Sequence, residues 1–369
     1  MAEISTSAMT KPVVTIAKTK TVETTTPQTK AEEPKTMPTE TTTAVPKTKP
    51  QEPEIVPKNS ELMVRFIDVG QGSATLISCD GKYMLIDGGD KPYSSTMYSI
   101  LKSQGITELA YMVNTHAHAD HVGGLPGALN YAKVDHAMSS VTSYDSEAFR
   151  DYLKYLDKQG VPLTVPKVGD KFSLGSASFT VLSSTHNTDN PNNDSIDLKM
   201  VYGKYTFLLT GDAEREVEEE ILNSGFDISS TVLQVGHHGG DTSTTYPFLR
   251  EIMPKYAVIS VGKGNTYGHP TDAVLSKLRD ADVKVLRTDM QGDIIFTSDG
   301  TNLSYTVEKN RDADTLIAGS IITQQTTKPS ITTKPTTTTK TDSQESDYVL
   351  NTNTKKIHKP GCSSVKQMS

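Results

Sequence analysis

The chain has 369 residues, with 37 Lys plus Arg against 44 Asp plus Glu, and its two cysteines are Cys79 and Cys362. Cysteines so few and so far apart exclude a disulfide framework, and no apolar run approaches the roughly 18 residues that a membrane span needs. Between Glu61 and Asn310 there are 21 basic against 32 acidic side chains, an excess of 11 negative charges, so the overall balance carries no footprint of a duplex nucleic-acid binder.

Aromatic residues divide the chain. Of 23, all but Tyr348 lie between Phe66 and Tyr305, whereas residues 1–60 hold 15 Thr and 8 Pro and no aromatic. A Thr/Lys/Pro tract recurs over 311–346. Such segments cannot bury enough apolar surface to offset the entropy of ordering them, so they read as linkers or stalks. The expected organisation is a linker over 1–60, one domain over 61–310, a second linker over 311–346 and a short cysteine-containing tail over 347–369. Residues 1–14 show neither a basic n-region nor an apolar h-region, so no signal peptide is visible. The stalk-like tails suit an extracellular or cell-envelope setting.

The domain opens with strand signals at 63–69, 74–79 and 83–86, broken by Gly70, Gly72, Asp80 and Gly81. A helix pattern follows over 96–103, then the apolar strand 109–113. Phe149, Tyr152, Leu153 and Leu156 recur at helical spacing, as do Val217, Ile221 and Leu222 beside an acidic face. Further strands are expected at 178–182, 197–202, 206–209, 231–235 and 257–261, with a helix near 272–281 and closing strands to Val307. The many hairpin-like pairs favour an α/β four-layer αββα sandwich over an open doubly wound sheet.

The strongest chemical signal is Thr115-His116-Ala117-His118-Ala119-Asp120-His121, directly after the strand 109–113. Side chains alternate at a strand end, so His116 and His118 point to one side and can grip one metal ion. Asp120 and His121 fall in the turn into a helix expected near Val122 and face a second position. Imidazoles with a carboxylate suit zinc, manganese or iron better than calcium or magnesium, which prefer oxygen shells.

His116 to His121 resembles the signature of the metallo-β-lactamase fold. In matching order follow "DVGQG" at 68–72, "LIDGG" at 85–89, "LLTGDAE" at 208–214, "VGHHGG" at 235–240 and "YGHP" at 267–270. Together these motifs resemble the soluble hydrolase domain of ComEC-type DNA-uptake proteins and their stand-alone relatives, over residues 62–308. The resemblance implies two divalent transition-metal ions, zinc or manganese, with Asp212 as the bridging carboxylate. It implies that one imidazole of "HHGG" completes the second ion. Strand parity with Leu233 and Val235 favours His237, which leaves His238 to the surroundings of the metals or to substrate. His269, ahead of a helix expected to start at Pro270, would meet charge developing on the substrate or donate a proton. Asp87 would orient a ligand histidine.

Two positions depart from the family pattern. Classical members supply a third histidine to the first metal, whereas "STHNTDNPNNDSIDL" presents an Asn-rich turn, Asn192, Asn193, Asp194 and Ser195, and leaves His186 outside the ligand set. Ser73 stands where relatives commonly carry Asp. His136 reads as a packed or surface histidine, and Cys79 as a small buried hydrophobe rather than a nucleophile. His358 and Cys362 resemble the start of a cysteine-containing module whose further ligands are missing.

The implied activity is hydrolysis of a phosphodiester, a hydroxide held between two metals attacking phosphorus while Asp120 orients it. Single-stranded DNA or RNA is the substrate class that the resemblance favours. The acidic balance and the tails suit instead a small-molecule or cell-envelope phosphodiesterase, such as a phosphorylcholine esterase. A non-catalytic binding module is the third reading.

Overall fold

Phe66, Phe207 and Phe296 meet edge to face at the centre of the molecule, with ring centroids 6.2 and 5.9 Å apart, and they come from two different sheets. The computed structural model describes residues 56–185 and 189–318, together with the backbone of 349–351 and 356–358. The first sheet has eight strands in the order Leu303–Val307, Ile294–Ser298, Leu62–Phe66, Thr75–Cys79, Lys82–Ile86, Glu108–Asn114, Lys133–Ser139 and Leu163–Thr164. The second has seven, Lys284–Arg287, Tyr256–Ile259, Val232–Gln234, Tyr205–Leu209, Asp197–Tyr202, Ala177–Ser183 and Lys171–Leu174.

Alternation along each strand explains the layering. Val64, Phe66 and Ile77 face Met200, Phe207 and Leu209 in a core between the sheets. The outer face of the first sheet, with Leu76, Leu85 and Met112, is covered by Met97 and Leu101 of the helix Ser94–Gln104 and by Phe149, Tyr152 and Leu156 of the helix Glu147–Gln159. The outer face of the second, with Leu208, Leu233 and Ala257, is covered by the helices Arg215–Asn223, Tyr246–Ile252 and Asp272–Asp280. Each large side chain so buried contributes roughly 1.5–3 kcal/mol. This is the expected four-layer αββα sandwich.

Local signals set the boundaries. Ser146 caps the helix Glu147–Gln159 by accepting from the Phe149 N–H at 3.2 Å, and Gly160, at φ 69°, ends it in the left-handed conformation that glycine adopts without strain. The helix expected near 272–281 spans Asp272–Asp280, so it does not start at Pro270 as the proline suggested. Thr271 is its cap, accepting from Val274 N–H at 3.4 Å, so the proline stands outside it. His136 lies on the exposed side of Lys133–Ser139 and stacks on Tyr111, centroids 5.2 Å apart. Cys79 is fully buried, and burial, with the charge of Asp80, pushes its thiol up to about 11, which fits a packed hydrophobe.

Packing extends past the expected domain limits at both ends. Val56 packs on the core between the sheets, and Leu316 and Ala318 pack under the helices of the second sheet. Arg287, 2% exposed, pairs with Asp289 and donates to the carbonyls of Thr315 and Ile317, which ties this segment down. His186 and Cys362 lie outside the described residues. Val349–Asn351 and Lys356–His358 form an antiparallel pair. No helix among the described residues is long and apolar enough to cross a membrane.

Candidate metal centre

Parallel pairing runs through Lys82–Ile86, Glu108–Asn114 and Lys133–Ser139 in one sheet and through Tyr205–Leu209, Val232–Gln234, Tyr256–Ile259 and Lys284–Arg287 in the other. The carboxyl ends of such strands are where an α/β fold opens a crevice. Asp87 follows Ile86, the histidine motif follows Asn114, Asp212 follows Leu209, and His237 and His238 follow Gln234. The site is therefore assembled from strand ends of both sheets.

Three backbone turns hold the histidine loop, and glycine is what lets them approach. A Cβ on Gly124 would lie 1.9 Å from the Gly88 carbonyl oxygen, and one on Gly72, at φ 146°, would lie 2.4 Å from that of Asp120. In the space so left, Gly88 N–H donates to the His121 carbonyl at 2.7 Å, Gly124 N–H to that of Gly89 at 2.8 Å, and Ser73 N–H to that of Asp120 at 3.1 Å. Ser73 is itself buried, and its hydroxyl accepts from Gln234 Nε2 at 2.9 Å, linking the loop to the second sheet. The short helix after the motif begins at Ala119, earlier than expected, with His118 extended just ahead of it.

His116, His121 and Asp212 form one group of donor atoms that all lie within 4.8 Å of one another, and Asp120, His121 and His238 form another. His116 Nε2 stands 3.8 Å from Asp212 Oδ2 and 3.0 Å from His118 Nδ1. His121 Nε2 stands 3.3 Å from Asp212 Oδ1, and His238 Nε2 stands 3.3 Å from Asp120 Oδ2 and 3.4 Å from Asp212 Oδ2. Asp87, buried and at φ 57°, accepts from Thr115 N–H and Thr115 Oγ1, each at 2.8 Å, and pairs with His121 Nδ1 at 2.7 Å. His238 is oriented in the same manner by the Ser260 carbonyl, 2.8 Å from its Nδ1.

Within "HHGG" the geometry brings His238, and not the expected His237, among the candidate donor atoms. The strand ends at Gln234, and His237 and His238 both take left-handed backbone conformations, φ 50° and 54°, so strand parity no longer applies. His238 enters the group with Asp120 and His121, while the His237 ring turns aside: Nδ1 lies 2.8 Å from Thr242 Oγ1 and 3.4 Å from Glu214, and Nε2 lies 3.5 Å from Asn192 Nδ2. Glu214, Asn192 and Thr242 were not singled out as a unit in the sequence. Glu214 closes the "LLTGDAE" motif and Asn192 lies in the Asn-rich turn, but nothing in the sequence joins either to Thr242.

The field of the cluster follows from burial and neighbours. Burial opposes ionisation of Asp212, but His238 and His121 outweigh it and hold this carboxyl well below the usual carboxylate range. Asp120 is lowered in the same way, burial being outweighed by His238 and His121. Burial would also deprotonate His121 and His238, yet Asp212, with Asp87 for His121 and with Asp120 for His238, raises both, His238 to about 10. His116 is driven well below its ordinary value by burial and by His121. The buried Asp212 and the half-buried Asp120 thus require positive charge, and imidazole nitrogens from two sheets converge on them. Such a nitrogen and oxygen donor set fits divalent transition metals.

Above the cluster lies a cavity of about 240 Å³ lined by Gln71, His118, Asp120, Asn192, Asp212, His237, His238, Tyr267 and His269. Burial, with His237 and His238 nearby, lowers His269 to about 4, so it is a neutral imidazole at ordinary pH, and its buried Nδ1 has no partner among the described residues. Asn265 fixes the backbone beneath it, Oδ1 accepting from His269 N–H at 3.0 Å and Nδ2 donating to the His269 carbonyl at 2.6 Å.

Comparison with known proteins agrees with this architecture. The model of the Metallo-beta-lactamase superfamily matches residues 67–263. ComE operon protein 3 of Bacillus subtilis is 33% identical over 257 residues, covering 64% of this chain and 33% of that protein. Competence protein ComA of Neisseria gonorrhoeae is 31% identical over 244 residues, covering 65% and 33%. The chain thus spans about a third of the length of these curated relatives. Among solved structures, the metallo-beta-lactamase fold protein YhfI of Bacillus subtilis aligns over 64% of this chain and 100% of its own, at 12% identity and a TM-score of 0.43.

Proposed function

The chain belongs to the metallo-beta-lactamase superfamily, and from that premise we propose that it is a metal-dependent phosphodiesterase acting on single-stranded nucleic acid. The observation that carries the reading is the convergence on Asp212 of imidazoles from both sheets, His116 and His121 from one and His238 from the other, each within 3.3 to 3.8 Å of its carboxylate. His116 and His118 with Asp212 would hold one divalent ion. Asp120, His121 and His238 would hold a second, with Asp212 facing both. Zinc and manganese suit these donors. When bound, such ions bring the pKa of water from about 15.7 to near 7 and neutralise charge on phosphoryl oxygens.

The residues around the ions do the rest. Asp87 fixes His121 and the Ser260 carbonyl fixes His238, so that each presents Nε2 to the centre. Asp120 lines the cavity and would orient the attacking water. His269 lines the cavity as a neutral imidazole, so it can donate a hydrogen bond to a phosphoryl oxygen but does not serve as the proton donor to the leaving oxygen. His237, held by Thr242 and close to Asn192, positions the substrate beside it.

The test combines metal analysis of the purified protein with a panel of single-stranded DNA, duplex DNA, a dinucleotide and bis(p-nitrophenyl) phosphate. Faster cleavage of single strands than of duplex or dinucleotide is expected. Hydrolysis of the small esters alone would favour a small-molecule phosphodiesterase, and failure of the metal-loaded protein on every substrate would refute the enzyme.

A further inference from the structure

Two cavities share His269. One is the cleft over the cluster. The other is a groove of about 920 Å³ whose lining includes His269, Lys263, Lys309 and Arg311. At the rim of the cleft Tyr267 is 68% exposed, its ring 5.8 Å from that of His269 and tilted by 30° to it. Lys263 and Arg311 are exposed and form no ion pair among the described residues. Lys309 is about half exposed and lies 3.5 Å from Asp68. The groove also holds two carboxylates: Asp289 is already neutralised by Arg287, and Asp312 is exposed, so three free or weakly paired cations face one unneutralised acid. A domain with 11 excess negative charges therefore places available cations along a groove that shares His269 with its cleft.

A small phosphodiester would fill the cleft and leave these cations without a role. A chain of phosphates would meet them in succession. An exposed aromatic ring beside a cationic track is the arrangement that binds unpaired bases, because stacking requires a free base face and a duplex hides it. We propose that Tyr267 is a stacking platform for a base next to the scissile phosphate, and that Lys263, Lys309 and Arg311 bind the phosphates of the flanking single strand. The proposal rests on the phosphodiesterase reading for which bond is cut, but strand binding itself can be measured without turnover. The acidic remainder of the surface then works in its favour, since it repels polyanions everywhere except along the groove.

The experiment is fluorescence anisotropy with the full-length protein and a labelled, cleavage-resistant phosphorothioate strand of about 20 nucleotides, across a salt series. The variant Lys263→Gln/Lys309→Gln/Arg311→Gln is expected to bind about 10- to 100-fold more weakly, with a slope of log affinity against log salt shallower by about 2, since each single-strand phosphate contact contributes about 0.7. Tyr267→Ala is expected to lose about 5-fold or more, and Tyr267→Phe to retain binding, because the ring rather than the hydroxyl stacks. The control Lys82→Gln/Lys133→Gln/Lys284→Gln removes the same charge from exposed positions outside the groove and should bind as the wild type does. Equal weakening in the control, or no change in the groove variant, would overturn the proposal. A wild-type protein that binds the strand in this pattern but cleaves no phosphodiester would sustain the track and sink the phosphodiesterase.

Discussion

Asp87 pairs with Nδ1 of His121 at 2.7 Å while Nε2 of the same ring faces Asp212 at 3.3 Å, so one carboxylate aims a histidine at another. Because Asp87 also accepts from both donors of Thr115, it fixes the start of the whole histidine loop.

Replacing Asp87 tests this arrangement. Asn tolerates the left-handed backbone at this position, φ 57°, but it cannot accept at both oxygens. Asp87→Asn should lower metal affinity about 10- to 100-fold, read by competition with a chromogenic chelator. Unchanged affinity would remove Asp87 from the support of the site.

The two adjacent histidines should separate cleanly. His238→Ala should cost the protein one equivalent of metal by elemental analysis. His237→Ala should keep its metal and lose turnover, because its ring lies in the cavity wall but outside both donor groups. Full metal content in His238→Ala would exchange the roles.

The glycine contacts carry a stability prediction. Gly124→Ala would press a methyl group onto the Gly88 backbone, which has no side-chain rotamer with which to yield, so a loss of about 1–3 kcal/mol is expected in urea unfolding. Gly81→Ala meets nothing within 4 Å. Its φ of 75° carries the backbone penalty alone, which makes it the control for packing.

Asp197 offers a pH test outside the donor groups, although it feels the charge of Asp212. It is fully buried, neither carboxyl oxygen has a hydrogen-bond partner among the described residues, and burial, with Glu218 and Asp212 nearby, raises it well above its ordinary value. A carboxyl raised on folding is neutral in both states below the unfolded value of about 3.9, so its contribution is intact there. As pH rises towards the folded value the unfolded chain ionises and the folded one does not, and stability falls. Asp197→Asn cannot ionise. Its stability relative to wild type should therefore climb from pH 4 upward, by about 1.4 kcal/mol for each unit of the raised pKa. A difference independent of pH would show that Asp197 is ionised when folded.

The C-terminal boundary makes a last test. Ending the chain at Arg311 removes the Thr315 and Ile317 carbonyls from a buried guanidinium and the Leu316 and Ala318 side chains from the second sheet's helices. It should cost a few kcal/mol, of which roughly 1–3 comes from each acceptor lost to a buried donor. Ending it at Ala318 should leave the melting temperature near that of the full chain.

The layers and the histidine motif were legible because they are periodic or local. Val64 and Phe66 alternate to one face, Leu156 recurs one helical turn after Tyr152, and His116 to His121 occupy consecutive positions. What stayed hidden depends on backbone torsion and distance in sequence. Nothing in "VGHHGG" announces that both histidines take positive φ, so parity pointed to His237. Arg287 binding carbonyls 28 and 30 residues away gave the segment after Asn310 a packing role that composition denied it. A total of charges has no address: it does not show that Lys309 and, one residue past the summed span, Arg311 line one groove with Lys263.

Since His116, His118, Asp120 and His121 belong to one sheet and Asp212 and His238 to the other, an ion bound among them would also act as a rivet between halves of the sandwich. At a free concentration a hundred times its dissociation constant, each ion would add about 2.7 kcal/mol to folding. A chelator would then loosen the molecule along that seam first. Amide protons at the open strand ends around Asn114, Thr210 and Val235 would exchange faster, while those of Leu76 or Phe207, deep between the layers, kept their protection.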